Sequence, residues 1–321
     1  MNKYTIDGNC IDSIELKCLI ISRGIKVDNA VYRHHAGISR LSKSPLCCNC
    51  LLLSDSTIVQ LTDTNFHIRH LSSIFNWDNI RLLKYTADLS TPFSLRMKGD
   101  DTILYYKDAE IDTINFPTAT DFYRQKTSRG LPFVGNTVLQ GLDWIAFQCL
   151  WACEYAAAGQ SCQFCFSGGD FEASAKKGKA LPKVIPAPDV AEIVQYAFDN
   201  NKVRNVQITG GSTFDGLKKY GHGKAFSNFI IGIEEFSTLS KGATYLAERG
   251  ILPTASVWIP MGKPVRGSMK APNVDYYKRV KELFAELYMK YKLEPTQSRG
   301  LNVCIEREIW NYANNSLINN Q

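Results

Sequence analysis

From about residue 137 the chain alternates short apolar runs with amphipathic stretches at helical spacing, and this alternation restricts the fold more than any other feature. Residues 144–148 form a short apolar strand pattern. After a Lys-, Pro- and Ala-rich connection at 171–188, Asp189 is placed to cap a helix. Val190, Ile193, Val194, Ala197 and Phe198 share one face of it, and Glu192 lies where a capping box wants it. Residues 203–209 read as a buried strand stopped by Gly210 and Gly211, and 226–233 as a second. A helix at 239–249 ends at Gly250, and a third strand at 255–261 closes at Pro260 and Gly262. Asp275 opens a long helix whose apolar stripe is Tyr277, Val280, Phe284, Leu287, Tyr288 and Tyr291. Strand–helix–strand order of this kind argues an α/β fold, as a parallel sheet or a partial barrel.

Residues 1–136 read differently, as a β-rich module. Leu16, Cys18 and Ile20 alternate like a strand that turns at Arg23 and Gly24, and residues 56–61 form a β-branched run. Residues 93–97 and 102–106 flank a turn containing Gly99, which reads as a hairpin, and 111–116 supply a third strand of a small antiparallel meander. The chain thus divides into an N-terminal module, 1–136, and an α/β core, 137–321, that ends in a helix.

The formal charge of +6 among 321 residues is too weak and dispersed to argue nucleic-acid binding. No apolar run reaches the length of a membrane span, and the polar first ten residues lack the apolar core of a signal peptide. A cytoplasmic protein is therefore expected, whose ten cysteines are reduced thiols available for metal ligation, catalysis or burial.

The chemistry concentrates in C-x₈-C-x₂-C, formed by Cys153, Cys162 and Cys165, with Cys149 just upstream. Thiolates are soft ligands that suit iron–sulfur clusters or zinc. Three readings fit the spacing: a cluster held by three cysteines with one iron open, a closed zinc or iron–sulfur site using Cys149 as well, or buried thiols. The loop follows an apolar strand and precedes a helix–strand unit, which puts it at the mouth of a parallel sheet, where α/β proteins place their sites.

With Phe164 before the last cysteine, with Gly210, Gly211 and Ser212 after the second strand, and with Asn228-x-Ile230-x-Gly232-x-x-Glu235 on a later strand, the stretch 140–290 resembles the radical S-adenosylmethionine (SAM) superfamily. Its cysteine loop is longer than the commoner C-x₃-C-x₂-C, and Asn228 stands where the later motif has glycine. The resemblance implies a TIM-like partial barrel and a [4Fe–4S] cluster on Cys153, Cys162 and Cys165. It implies SAM chelated to the open iron, and reductive cleavage to a 5′-deoxyadenosyl radical that abstracts hydrogen from a small-molecule or peptide substrate. Gly210 and Gly211 would meet the methionine ammonium, Ser212 would add a hydroxyl, Phe164 would support the adenine, and Gly232 and Glu235 would line the cofactor. An electron donor such as flavodoxin or ferredoxin is implied; a nucleic-acid or membrane partner is not.

One departure matters. A βα unit takes roughly 30 residues, yet only 212–225 separate the second strand from the one that resembles the fifth. The barrel is expected to be shortened, without its central strands. A non-catalytic zinc or iron–sulfur protein and a catalytically inactive shortened homologue are the competing expectations. Elsewhere, Cys10, Cys18 and Cys304 are expected in the core, the Cys47, Cys48 and Cys50 group as core or partly exposed thiols, His34 and His35 as exposed imidazoles, and the basic 124–129 loop as a solvated face.

Overall fold

The computed structural model describes residues 1–39, 49–61, 91–134, 136–140, 142–150, 185–210, 226–258, 272–295 and 305–318. Strands β1 (Lys3–Ile6) and β2 (Asn9–Asp12) pair antiparallel, and β2 runs straight into helix α1 (Ser13–Arg23). Asp12 starts that helix. Its carboxylate accepts from the Ile14 and Glu15 N–H groups at 2.9 and 3.1 Å, while the Glu15 carboxylate accepts from Asp12 N–H at 2.6 Å. This capping box satisfies donors that a helix start leaves orphaned. It corrects the strand expected from the alternation of residues 16 to 20. The helix is buried from Ser13 to Ser22, so no polar face shows its 3.6-residue period.

Strand β3 (Lys26–Val27) and helix α2 (Asn29–His35) follow, then the antiparallel pair β4 (Asn49–Leu52) and β5 (Ile58–Leu61). Strands β6 (Phe93–Lys98), β7 (Asp101–Tyr106) and β8 (Ala109–Ile114) form the expected meander, and β3 adds to β6 in parallel. The β6–β7 connection is a two-residue loop, Gly99 and Asp100, between paired Lys98 and Asp101; its φ of +62° is why glycine stands there.

The second half contains β9 (Thr137–Gln140), β10 (Trp144–Leu150), α3 (Ala187–Asn200) and β11 (Asn205–Gly210). Strand β10 is the centre of a sheet in which β9 is antiparallel and β11 parallel to it. Then come β12 (Phe226–Ile231), α4 (Phe236–Ala247), β13 (Leu252–Val257), α5 (Val274–Tyr291) and α6 (Glu306–Ile318), with β12 and β13 parallel. Strand β13 starts three residues earlier than the pattern at 255–261 predicts. It includes Pro253, which is tolerated because β13 has a paired neighbour on one side only among the described residues. Among these residues β11 and β12 belong to separate sheets.

Helix α3 corrects a second expectation. Pro186 takes the N-cap position and a further proline sits in the first turn, so Asp189 lies inside the helix rather than capping it. The Asp189 carboxylate instead meets Arg129 at 2.7 Å, and the guanidinium holds its pKa below the usual range. Glu192 accepts from the Ser128 N–H at 2.7 Å and hydroxyl at 2.9 Å. The basic loop is thus anchored on α3 at Ser128 and Arg129. Phe198, expected on the buried face, is 42% exposed, whereas Ile193 and Ala197 are buried.

Two cores result. The smaller packs Leu139, Ile145, Phe147, Ile193, Ala197 and Val203 with Phe122 and Phe133. The larger gathers α1 and the N-terminal strands with β12, β13, α4, α5 and α6, so it crosses the 136/137 boundary. The expected stripe of α5 is buried there from Tyr277 to Tyr288, with Tyr291 partly buried. Lys281 on the same helix reaches Asp12 at 2.7 Å and Glu15 at 2.6 Å inside the core, and Lys17 pairs with Glu308 of α6. Cys18 and Cys50 are buried, but Cys10 is exposed, contrary to expectation, because β2 turns that side chain outward near its hairpin turn. His35 is half-buried, with Nε2 at 2.9 Å from the Thr102 hydroxyl and its ring against Phe116. No helix is long and apolar enough to cross a membrane among the described residues.

Candidate metal and cofactor site at the strand ends

Cys153, Cys162, Cys165, Phe164, Gly211 and Ser212 lie outside the described residues. The structure does describe the strands that lead to them. Strand β10 runs parallel to β11 from the Trp144–Asn205 pair to the Leu150–Gly210 pair. The register shifts between Gln148 and Leu150, leaving the Cys149 backbone at a bulge where the ladder ends. Bulges at strand ends bend the chain and terminate pairing. Leu150, the last described residue before the cysteine stretch, and Gly210, the last before Gly211, therefore sit paired at the same end of one parallel pair.

Gly232 follows β12 with φ +106°, a conformation side chains rarely adopt. A Cβ there would sit 3.0 Å from Pro272 Cγ and 3.5 Å from Trp258 Cβ. Its N–H donates to the Tyr276 hydroxyl at 3.1 Å, and that hydroxyl donates to the Glu234 carbonyl at 3.4 Å. Burial raises the Tyr276 pKa, so the phenol stays protonated. The glycine is thus pinned by α5 and the residues before it, a contact that sequence reasoning missed because its partners lie some 40 residues downstream. Glu235 takes the N-cap position of α4 by its backbone carbonyl, which accepts from Thr238 and Leu239; its side chain is exposed and makes no capping bond.

The two faces of the β12–β13 pair differ. Phe229, Ile231, Ala255 and Val257 belong to the larger core or pack against it, beneath α4 and α5. On the opposite face Asn228 pairs in register with Thr254, and Ile230 with Ser256. Asn228 Oδ1 accepts from the Thr254 and Ser256 hydroxyls at 3.1 and 3.0 Å. The position that departs from the resembled glycine motif therefore ties the two strands together.

Among the described residues no group of three or more His, Cys, Asp or Glu is placed to hold a metal ion. The cysteine stretch, outside the described residues, is a donor set whose thiolates suit an iron–sulfur cluster or zinc. Trp144 packs in the fold with 8% exposure, as does Trp258. No protein-family model matches the chain, and no curated protein or solved structure matches it either.

Proposed function

We propose that the chain is a radical SAM enzyme of shortened partial-barrel form, with a [4Fe–4S] cluster on Cys153, Cys162 and Cys165. The observation that carries this reading is the parallel β10–β11 pair, whose paired end residues, Leu150 and Gly210, are the last described before the cysteine stretch and before Gly211. A C-terminal strand edge is where α/β proteins gather ligands, because loops from neighbouring strands converge there. When bound, the cluster and SAM supply one-electron cleavage of the sulfonium to a 5′-deoxyadenosyl radical that abstracts hydrogen from a substrate.

In this reading the three thiolates would hold the irons, and the carbonyls of Gly210 and Gly211 with the Ser212 hydroxyl would hold the methionine ammonium. Phe164 and the β12 end, Gly232 and Glu235, would hold the adenosine. Gly232, held through its N–H by the Tyr276 hydroxyl, would offer the cofactor a fixed backbone position. A one-electron donor of the flavodoxin or ferredoxin kind would supply the electron, and a small molecule or peptide would be the substrate.

A second reading has its own support. Strands β11 and β12 belong to separate sheets among the described residues. A chain that kept a cluster loop but lost the continuous sheet around it would bind iron without catalysis. One experiment separates them. The protein is reconstituted anaerobically with iron and sulfide, then incubated with SAM and dithionite, and 5′-deoxyadenosine is measured by chromatography. Product from the native chain and none from Cys153→Ala supports the enzyme. Iron retained without product supports the inactive form, and zinc in place of iron defeats both.

A further inference from the structure

Helix α6 begins at Glu306, a half-buried residue whose carboxylate forms no ion pair among the described residues. Glu306 Oε2 is inaccessible to solvent and has no hydrogen-bond partner among the described residues. The charges that act on it are Glu308 of α6 and Lys17 of α1, and the helices packed against α6 carry further titratable groups. Helix α1 brings Lys17, with Asp12, Glu15 and Cys18 beside it. Helix α5 carries Lys281, Glu282 and Tyr277, and α6 itself carries Arg307, Glu308 and Tyr312.

Both buried ammonium groups are already engaged. Lys17 pairs with Glu308, and Lys281 pairs with Asp12 and Glu15. Arg307 points elsewhere, to Glu294 at 3.5 Å and the Pro295 carbonyl at 3.2 Å. Among the described residues, the buried Asp12 and Glu15 and the half-buried Glu308 already answer the two buried ammonium groups before Glu306 is counted. A fourth negative charge, on an oxygen shut off from solvent, would have no cation of its own among the described residues, which is costly.

We propose that Glu306 is a proton-operated latch: in its neutral form it lets the start of α6 dock on α1 and α5, and its ionisation releases that helix. The proton leaves to solvent, and nothing else is exchanged. Burial is the main force on this carboxyl, with Glu308 acting in the same direction and Lys17 and nearby backbone N–H groups opposing it; the result is a pKa pushed up to about 7. The folded pKa lies above the unfolded 4.5, so the docked form binds the extra proton between the two values. Docking is therefore at full strength below pH 4.5 and weakens as pH rises through 7.

The test is hydrogen exchange on the full chain from pH 5 to 8, expressed as protection factors so that the intrinsic pH dependence divides out. Protection of the α6 amides is expected to fall about tenfold per pH unit as the window to pH 7 is crossed, then level off. Amides of β6 and β7 are expected to stay level. Glu306→Gln, which keeps the shape and cannot ionise, should remove the dependence. An unchanged dependence in Glu306→Gln, or flat protection in the native chain, overturns the latch. Should Glu306→Gln fail to fold, Glu308→Gln decides: it frees Lys17 for Glu306, so the midpoint must move to lower pH, and a fixed midpoint overturns the proposal.

Discussion

Replacing Lys281 with methionine isolates what the buried charges contribute. The ammonium is 7% exposed and lies 2.7 Å from Asp12 and 2.6 Å from Glu15, whose side chains are 0% and 2% exposed. Methionine fills similar space and leaves two carboxylates without a cation. Breaking a buried pair in this way costs about 3–5 kcal/mol. The structure also sets a ceiling. Asp12 keeps its two helix N–H donors, but Glu15, raised already by burial and by Asp12, can take up a proton. From its ordinary value of 4.5, protonation at pH 7 costs about 1.4 kcal/mol per unit, or about 3.4 kcal/mol. The variant should therefore lose about 3 kcal/mol at pH 7. The loss should shrink by about 1.4 kcal/mol for each unit toward pH 4.5, because acid neutralises the group that the lysine no longer serves. Urea unfolding followed by tryptophan fluorescence at pH 7.0 and 4.5 measures both quantities. Adding Glu15→Gln to the variant should restore most of the stability at pH 7. A loss below about 1 kcal/mol, or one equal at both pH values, would refute the reasoning.

Gly232→Ala meets both a positive φ and Pro272 at 3.0 Å, so a loss of about 1–3 kcal/mol is expected in urea unfolding; an unaffected midpoint would mean the turn relaxes freely. Phe284→Ala removes a fully buried ring of α5 and should cost about 3–5 kcal/mol by the same assay. Arg129→Ala breaks the pair with Asp189, but the guanidinium side is 49% exposed, so the loss should stay within about 1 kcal/mol. Cys149→Ala should spare bound iron and Cys153→Ala should destroy it, measured by iron content after anaerobic reconstitution; loss in both would favour a four-thiolate site.

The parts of the fold legible in the sequence are those where burial is one-sided or a turn demands glycine. Helix α5 shows its stripe because its other face is solvated, and the β6–β7 hairpin shows because Gly99 breaks an alternating run. Helix α1 hid because it is buried all round, and its Asp12-x-x-Glu15 box was the signal to weigh above alternation. Asp189 and Glu192 carried the right residue types for a cap, yet Pro186 claimed the helix start and left both carboxylates to hold the 127–131 loop. At the candidate site, Gly210 was legible as the end of its strand, whereas Gly232, read inside a strand at 226–233, lies just past the strand's end at Ile231. The hold of Tyr276 and Pro272 on Gly232, and the Asn228 tie to β13, depend on chain segments far apart in sequence, so no local pattern announces them.

The most direct test of the central claim is electron paramagnetic resonance of the anaerobically reconstituted, reduced protein, recorded with and without SAM. The proposed function predicts a [4Fe–4S]⁺ signal that changes when SAM is added, because an open iron accepts the cofactor. A cluster signal indifferent to SAM, or colourless protein carrying zinc, would contradict it.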